Sequence, residues 1–382
     1  MTSDTTHLII GASLAGAKAA QTLRGEGFDG PLVMVGEEHE WPYERPPLSK
    51  DYLLGKAERE TVYVHPQHWY AEHQIDLRLG VAATAIHPSA HEVTLAEGGR
   101  IGYAKLLLTT GSSPRRLPVP GAGQDGVLSL RNVGDSDAIK AAFESSSRVA
   151  VIGAGWIGLE AAAAARAAGV AVTVLERGEL PLLRVLGREV AQVFATLHRD
   201  HGVDLRRGVQ VAEITGRHGR ADGVLLADGS RIDADVIITG VGITPNTQLA
   251  AAASLDISDG IRVNAQLRSS DPDIYAAGDV ASAFHPRLGQ HIRVEHWANA
   301  LHQPQAAARA MLGQDVAYDR VPYFFTDQYD AFWLKGGRVL AGMNVNIWDV
   351  NDAIRDLVRD GRPVDKDALT DPDRPLESLT GR

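Results

Sequence analysis

The chain opens on a short apolar run, His7-Leu8-Ile9-Ile10, which is too brief for a helix and predicts a buried strand. A small-residue turn, Gly11-Ala12-Ser13-Leu14-Ala15-Gly16, follows at once. A helical pattern then runs over 17–24 and stops at Gly25 and Gly27, and a second apolar run, 32–35, closes on Gly36 and Glu37. The same order recurs from Arg148. An apolar run over 148–152 meets Gly153-Ala154-Gly155-Trp156-Ile157-Gly158, an alanine-rich helix extends to Ala168 with Gly169 behind it, and a run over 170–175 leads into Glu176.

The repetition extends past both units. Strand patterns at 81–86, 92–95 and 100–103, with a Gly98-Gly99 turn, lead into Leu106-Leu107-Leu108-Thr109-Thr110-Gly111. Patterns at 209–214, 223–226 and 231–233, with an Asp228-Gly229 turn, lead into Val236-Ile237-Ile238-Thr239-Gly240. Two copies of one plan, βαβ then a meander then a last strand, predict an α/β protein with two Rossmann-like nucleotide-binding domains.

Each glycine turn brings backbone N–H groups and a helix N-terminus together, and both attract a pyrophosphate. The acid at the end of the second strand lies 26 positions after the first glycine in one unit (11 to 37) and 23 in the other (153 to 176). Ser13 replaces the middle glycine of the first turn, whereas the second fits G-x-G-x-x-G throughout. Candidate dinucleotide contacts are therefore Gly11, Ser13, Ala15, Gly16 and Glu37 in the first unit. In the second they are Gly153, Gly155, Trp156, Ile157, Gly158 and Glu176. A carboxylate at Glu176 suits a ribose 2′-hydroxyl and repels a 2′-phosphate, which favours NADH over NADPH, although Arg177 and Arg184 stand close enough in sequence to accommodate a phosphate.

Composition narrows the chemistry. Among 382 residues there are 39 Gly, 18 Pro and no Cys, so disulfides, thiolate metal sites and a cysteine nucleophile are all excluded. A net charge of −10 argues against a nucleic-acid surface. The longest apolar run, 159–175, is interrupted by Glu160, Arg166 and Gly169, and the start of the chain is polar, so no membrane segment is expected and a cytoplasmic location is the default. His65, His68 and His73, and the pair His198 and His201, read as surface histidines rather than metal ligands.

With both glycine units in hand, the chain resembles the two-dinucleotide-binding-domain flavoproteins, in which the first unit holds FAD and the second, inserted into it, holds NAD(P)H. Asp273-Ile274-Tyr275-Ala276-Ala277-Gly278-Asp279 is similar to the segment whose aspartate bonds the flavin ribityl chain. Pro42-Tyr43-Glu44-Arg45-Pro46-Pro47-Leu48-Ser49-Lys50, Glu295-His296-Trp297 with Gln303, Val321-Pro322-Tyr323-Phe324 and Asp327-Gln328-Tyr329-Asp330 resemble segments of the NADH-dependent ferredoxin reductases of oxygenase systems, the putidaredoxin reductase type. In the Pro42–Lys50 loop itself, Ser49 is expected to cap a short helix beginning near Lys50.

The resemblance implies FAD and NADH as cofactors and a 2Fe–2S ferredoxin as partner, with electrons passing on to a monooxygenase or dioxygenase. It implies an FAD domain of residues 1–112 and 242–319, an NAD domain of 113–241, and a small C-terminal α+β domain of 320–382. That last domain is shortened at Asp330-Ala331, where the family carries a further stretch. Lys50 is implied to stabilise reduced flavin, with Arg45 near the ring or its phosphates, and Glu160 to face the nicotinamide and pair with Lys50. Thr110, Gly111 and Asp279 are implied at FAD, the helix after Asp279 to offer it N–H groups, and Arg184 and Gly242 to lie at NAD. Trp297 is either a flavin-edge residue or a core residue. Arg287, His291 and Arg293 are the candidate ferredoxin-docking patch, on a monomer or weak homodimer. Without cysteine, the disulfide relay of the wider superfamily is absent. A rubredoxin reductase, an NADH oxidase or quinone reductase, and a redox-sensing interaction module are the alternatives.

Overall fold

The computed structural model describes residues 5–322 and the segments 331–335, 338–343, 356–357, 362–369 and 374–379. The Asp327–Asp330 motif and the expected junction before Ala331 lie outside the described residues. The chain divides into two compact units. The first comprises Met1–Leu117, Ser129–Ala141 and Val241–Pro322, and the second Pro118–Leu128, Ala142–Gly240 and Tyr323–Arg382.

In the first unit a five-stranded parallel sheet runs in the order Ile274–Ala276, Lys105–Leu108, His7–Ile10, Leu32–Val35, Ile75–Arg78. Its central strands are apolar without alternation because both faces are covered: Leu8, Ile9, Met34, Leu106, Leu107 and Leu108 are fully buried. Helix Leu14–Gly25 packs along helix Trp297–Met311, where buried Ala17, Ala19, Ala20, Ala307 and Ala308 let the two approach closely. The first meander is an antiparallel sheet of Ala83–His87, Glu92–Leu95 and Arg100–Gly102. The His7–Ile10 strand has Leu32–Val35 on one side and Lys105–Leu108 on the other, so the strand order reverses there and opens a crevice at its carboxyl end.

The second unit repeats the plan. Its parallel sheet has the order Asp204–Arg207, Ala171–Glu176, Arg148–Ile152, Val236–Thr239, Val127–Leu128. Beside it stands the antiparallel meander Val211–Arg217, Arg220–Leu226, Arg231–Asp233. Helix Trp156–Ala167 buries Ala161, Ala162, Ala164 and Ala165, and Arg148–Ile152 ends at the second strand-order reversal. Within residues 323–382, Ala331–Lys335 and Arg338–Met343 form an antiparallel hairpin.

Four expectations need correction. The turn at Pro46–Ser49 is itself a 3-10 helix with Lys50 just past its end, so Ser49 is its last residue, its hydroxyl donating back to the Pro46 oxygen at 3.4 Å, and not the start of a helix at Lys50. Two prolines start that turn, where their fixed φ and missing N–H are harmless. Asp279 does not lead straight into a helix: strands Ala281–His285 and Gln290–Ile292 intervene before helix Trp297–Met311. His198 is fully buried on the inner face of helix Leu183–Asp200 with Ala191, Phe194 and Ala195. His65 stacks on Trp69 at 3.9 Å and His73 stacks on Trp69 at 4.1 Å, a partly buried sandwich rather than free surface side chains.

Candidate functional site

In the first unit the Ile10-to-Leu14 turn depends on glycine for packing. Gly11 has φ +118°, and a Cβ there would stand 2.2 Å from the Thr109 carbonyl oxygen. A Cβ on Gly16 would stand 2.1 Å from the Gly11 oxygen. Ser13 takes the N-cap position with extended backbone but makes no side-chain capping bond, so its hydroxyl does not satisfy the first-turn N–H groups that face the crevice. Ala15 is buried, and a Cβ on Gly278 (φ +82°) would lie 3.4 Å from its methyl group, so the Asp273–Asp279 segment seats directly on the turn. The Gly278 N–H donates to Gln303 Oε1 at 2.9 Å, which fixes the backbone just before Asp279.

Asp279 is not free. Its Oδ2 accepts from Arg131 Nη2 at 3.1 Å, with the two side chains only 15% and 21% exposed. Arg131 itself is set by the cap of helix Val133–Ser145: its N–H and that of Asn132 donate to Asp135 Oδ2, while the Asp135 N–H returns to Asn132 Oδ1. Arg45 donates to the Arg131 carbonyl, to Glu38 Oε1 at 3.0 Å and to the Tyr43 hydroxyl at 3.3 Å. Burial, reinforced by the neighbouring Arg45 charge, pulls Arg131 below the usual guanidinium range. Its Nε is buried with no hydrogen-bond partner among the described residues. A buried cationic donor left over beside a glycine turn fits an anionic cofactor.

Lys50 donates to Ser49 Oγ at 3.3 Å. Its charge, added to burial, holds His296 down at about 4. His296 caps helix Trp297–Met311 through Nδ1, which accepts from the Ala298 N–H at 3.2 Å, so its proton sits on Nε2. Trp297 donates its indole N–H to Glu44 Oε2 at 3.0 Å, an anchored and partly buried position. Glu37 is exposed; the engaged carboxylate after Leu32–Val35 is Glu38. Thr110 is locked to Asn246 by two bonds, Oγ1 to the Asn246 oxygen at 2.9 Å and Asn246 Nδ2 to the Thr110 oxygen at 2.8 Å. Gly111 adopts φ +64°, and Gly242, at φ +101°, accepts from the Arg115 N–H at 2.9 Å and so belongs to the first unit.

The second unit shows the same turn with a sharper division of labour. A Cβ on Gly158 would stand 2.1 Å from the Gly153 oxygen, a helix-to-strand packing contact. A Cβ on Gly155, by contrast, would meet nothing nearer than the Gly240 oxygen at 3.9 Å. Its backbone is ordinary at φ −80°, so packing does not demand glycine there, whereas close approach of a pyrophosphate does. Trp156 sets its ring edge-on to Phe194 at 6.0 Å, and Ile157 is 41% exposed. Glu160 is 5% exposed in the helix that starts at Trp156, not a surface carboxylate. Glu176 uses both oxygens on backbone donors, Oε2 on the Ala154 N–H at 2.7 Å and Oε1 on the Gly178 N–H at 2.6 Å. Arg177 and Arg184 are exposed.

The hairpin expected to dock a partner is less basic than its sequence. Arg293 has a side chain only 8% exposed and pairs with Asp259 at 2.9 Å and with Glu295. Arg287 is exposed but paired with Asp319 at 2.7 Å, and burial lowers His291. Among the described residues no His, Asp and Glu side chains gather as a metal site, and no helix is long and apolar enough to cross a membrane.

Two nucleotide turns at two strand-order reversals, one beside a partly buried cationic cluster and one beside an anchored acid, define a flavin- and pyridine-nucleotide-dependent oxidoreductase. Residues 5–304 match the family model described as pyridine nucleotide-disulphide oxidoreductase, and the chain belongs to that family. Rhodocoxin reductase of Rhodococcus erythropolis is 40% identical over 340 residues, covering 89% of this chain and 79% of that protein. The anthranilate 1,2-dioxygenase system ferredoxin–NAD(+) reductase component of Burkholderia cepacia is 38% identical over 395 residues, covering 96% and 97%. Those 395 aligned positions exceed the 382 residues of the chain, so that relative carries residues this chain lacks. Among solved structures, the covalent putidaredoxin reductase–putidaredoxin complex aligns with a TM-score of 0.87 at 34% identity, over 99% of this chain and 98% of that one.

Proposed function

We infer that the protein is an FAD-dependent ferredoxin–NAD(+) reductase that takes hydride from NADH and passes single electrons to a 2Fe–2S ferredoxin serving an oxygenase. The observation that carries this reading is the pair of glycine-based nucleotide turns in a chain without cysteine, which leaves no internal disulfide to receive the electrons. The reductases named for dioxygenase systems and the putidaredoxin complex support it. When bound, FAD accepts an electron pair from NADH and releases it one electron at a time.

The residues supply binding and charge. FAD is held by the Gly11–Gly16 turn, with Thr110 and Gly111 at the neighbouring strand end and Asp279 for the ribityl chain. Arg131 and Arg45 form a cationic wall that orients Asp279 and neutralises phosphate. Glu37, exposed at its strand end, is free to receive the adenosine ribose. Lys50 stands where negative charge develops on reduction, and its neighbour His296, held neutral, adds no second charge there. Trp297, held by Glu44, forms the edge of that site. In the second unit Gly153, Gly155, Trp156, Ile157 and Gly158 cradle the NADH pyrophosphate, Glu176 receives the ribose and Glu160 lies toward the nicotinamide. Arg184 and Gly242, whose carbonyl accepts from the Arg115 N–H, are further NAD contacts.

The FAD domain is residues 1–112 and 242–319, joined by 129–141, whose Ser136 and Asp137 bond Leu48, Tyr52 and Arg59. The NAD domain is the rest of 113–241, and 320–382 is a shortened C-terminal domain. Docking of an acidic ferredoxin uses Arg287 and His291, with Arg293 bracing the hairpin from inside. The test is steady-state NADH consumption by FAD-loaded protein: rapid turnover with a 2Fe–2S ferredoxin and slow turnover with oxygen or quinone alone is expected. Turnover unaffected by ferredoxin contradicts the assignment, and negligible turnover with every acceptor supports a sensor instead.

A further inference from the structure

We propose that Ser136 and Asp137, at the start of helix Val133–Ser145, are positioning residues for Lys50: they clamp its loop through the Leu48 carbonyl on one side and the Tyr52 hydroxyl on the other, and so fix where its ammonium group stands during flavin reduction. The proposal rests on the reading that Lys50 stabilises reduced flavin, and it names what holds that charge in place.

Lys50 joins two turns. Its N–H closes the Pro46–Ser49 turn onto the Pro47 oxygen at 3.0 Å, and its carbonyl accepts from the Leu54 N–H at 2.9 Å. A long side chain at such a junction inherits every shift of the peptide beneath it. The two clamps fall symmetrically about that peptide. Two residues before Lys50, the Leu48 carbonyl accepts from Ser136 Oγ at 2.8 Å. Two residues after it, the Tyr52 hydroxyl donates to Asp137 Oδ1 at 2.6 Å. Ser136 is fully buried and Tyr52 is 7% exposed, so water does not readily replace either partner.

Asp137 is itself held. Its Oδ2 accepts from Arg59 Nη1 at 3.0 Å, Arg59 Nη2 donates to Glu40 Oε1 at 2.7 Å, and Glu40 Oε2 accepts from the Tyr63 hydroxyl at 3.1 Å. The Arg59 and Asp137 side chains are 38% and 42% exposed, so their ion pair adds little stability by itself. Its effect is to orient the carboxylate so that the other oxygen meets Tyr52. The same helix start carries the Asn132–Asp135 cap, which fixes Arg131, the partner of Asp279. One stretch, 131–137, therefore sets both the guanidinium beside Asp279 and the loop of Lys50. Such shared support matters for a charge that acts in a transition state, because a displacement of about 1 Å can cost about 100-fold in rate.

The test is stopped-flow reduction of FAD-loaded protein over a range of NADH concentrations, which separates the limiting rate of flavin reduction from the NADH dissociation constant. Tyr52→Phe and Ser136→Ala each remove one oxygen atom. Each should lower the limiting rate about fivefold or more, with the dissociation constant within about twofold of native and flavin content full. Asp137→Ala should do the same, and Asp137→Asn, which keeps an acceptor for the Tyr52 hydroxyl, should recover the rate to within about threefold of native. Lys50→Gln should itself be slow, and adding Tyr52→Phe to it should change the rate less than about twofold, because the charge to be positioned is gone. A native limiting rate in Tyr52→Phe or Ser136→Ala overturns the proposal. So does an equal loss from Tyr52→Phe in the Lys50→Gln background, which would mark a structural role alone. A native rate in Lys50→Gln shows instead that Lys50 takes no part in flavin reduction, and the proposal falls with that reading.

Discussion

Arg131 Nη2 lies 3.1 Å from Asp279 Oδ2, joining two segments 148 residues apart in the chain. The pair settles why Asp279 can sit half-enclosed and charged: a guanidinium shares its desolvation, and Arg45 and Glu38 extend the network. Replacing Arg131 by Ala leaves Asp279 with an uncompensated charge at the place proposed for FAD. We expect Arg131→Ala to weaken FAD retention by about 10- to 100-fold, equivalent to about 1.4–2.8 kcal/mol, measured as flavin-to-protein absorbance after dialysis. Full flavin content in the variant would exclude this role.

The two inner glycines of the second turn separate packing from ligand approach. Gly158→Ala drives a Cβ to 2.1 Å from the Gly153 oxygen and should destabilise the protein by about 1–3 kcal/mol in urea unfolding. Gly155→Ala meets no atom within 3.9 Å at an ordinary φ, so its stability should stay within about 1 kcal/mol of native. NADH affinity should nevertheless fall at least about tenfold, because the methyl group occupies the path of the pyrophosphate. Native NADH affinity in Gly155→Ala would show that the dinucleotide binds elsewhere.

Stability should fall on mild acidification. Burial, with Lys105 and Arg24 adding to it, holds His7 down at about 4, whereas an unfolded histidine titrates near 6.5. Between those values the unfolded chain binds a proton that the folded chain does not, so the stabilisation is complete above about pH 6.5 and is lost as pH falls toward 4. His7 is 6% exposed, and its share is about 3 kcal/mol across that window. His65 and His296 shift in the same direction and add to the slope. The measurement is the difference in unfolding free energy between native protein and His7→Gln at pH 7 and pH 5. A difference that does not change with pH contradicts a buried neutral His7.

Much of the scaffold was legible in the sequence, because both sheets bury continuous apolar strands punctuated by glycine. Strands His7–Ile10, Leu32–Val35, Glu92–Leu95, Arg148–Ile152 and Arg231–Asp233 lie where the pattern predicts. The inner face of helix Leu183–Asp200 carries Ala191, Phe194, Ala195 and His198 at helical spacing, yet His198, three residues from His201, reads in the sequence as a surface histidine although it belongs to that buried face. The pairing of Arg131 with Asp279 was not readable, because no local period connects side chains that only the fold brings together. The nearest signal was the Asn132-to-Asp135 cap, which fixes Arg131 but names no partner. For Glu176 the strand end predicted the residue; its two backbone donors emerge only with the turn in three dimensions. At Pro46–Ser49 the two prolines outweighed the serine, and they start a turn that a reading centred on the cap placed too late.

The most direct test is sequential stopped-flow mixing of FAD-loaded protein, first with NADH and then with oxidised 2Fe–2S ferredoxin. Flavin absorbance should bleach on the first mix and recover on the second at least about tenfold faster than with air-saturated buffer. Recovery no faster with ferredoxin than with oxygen, or no bleaching by NADH, would contradict a ferredoxin–NAD(+) reductase.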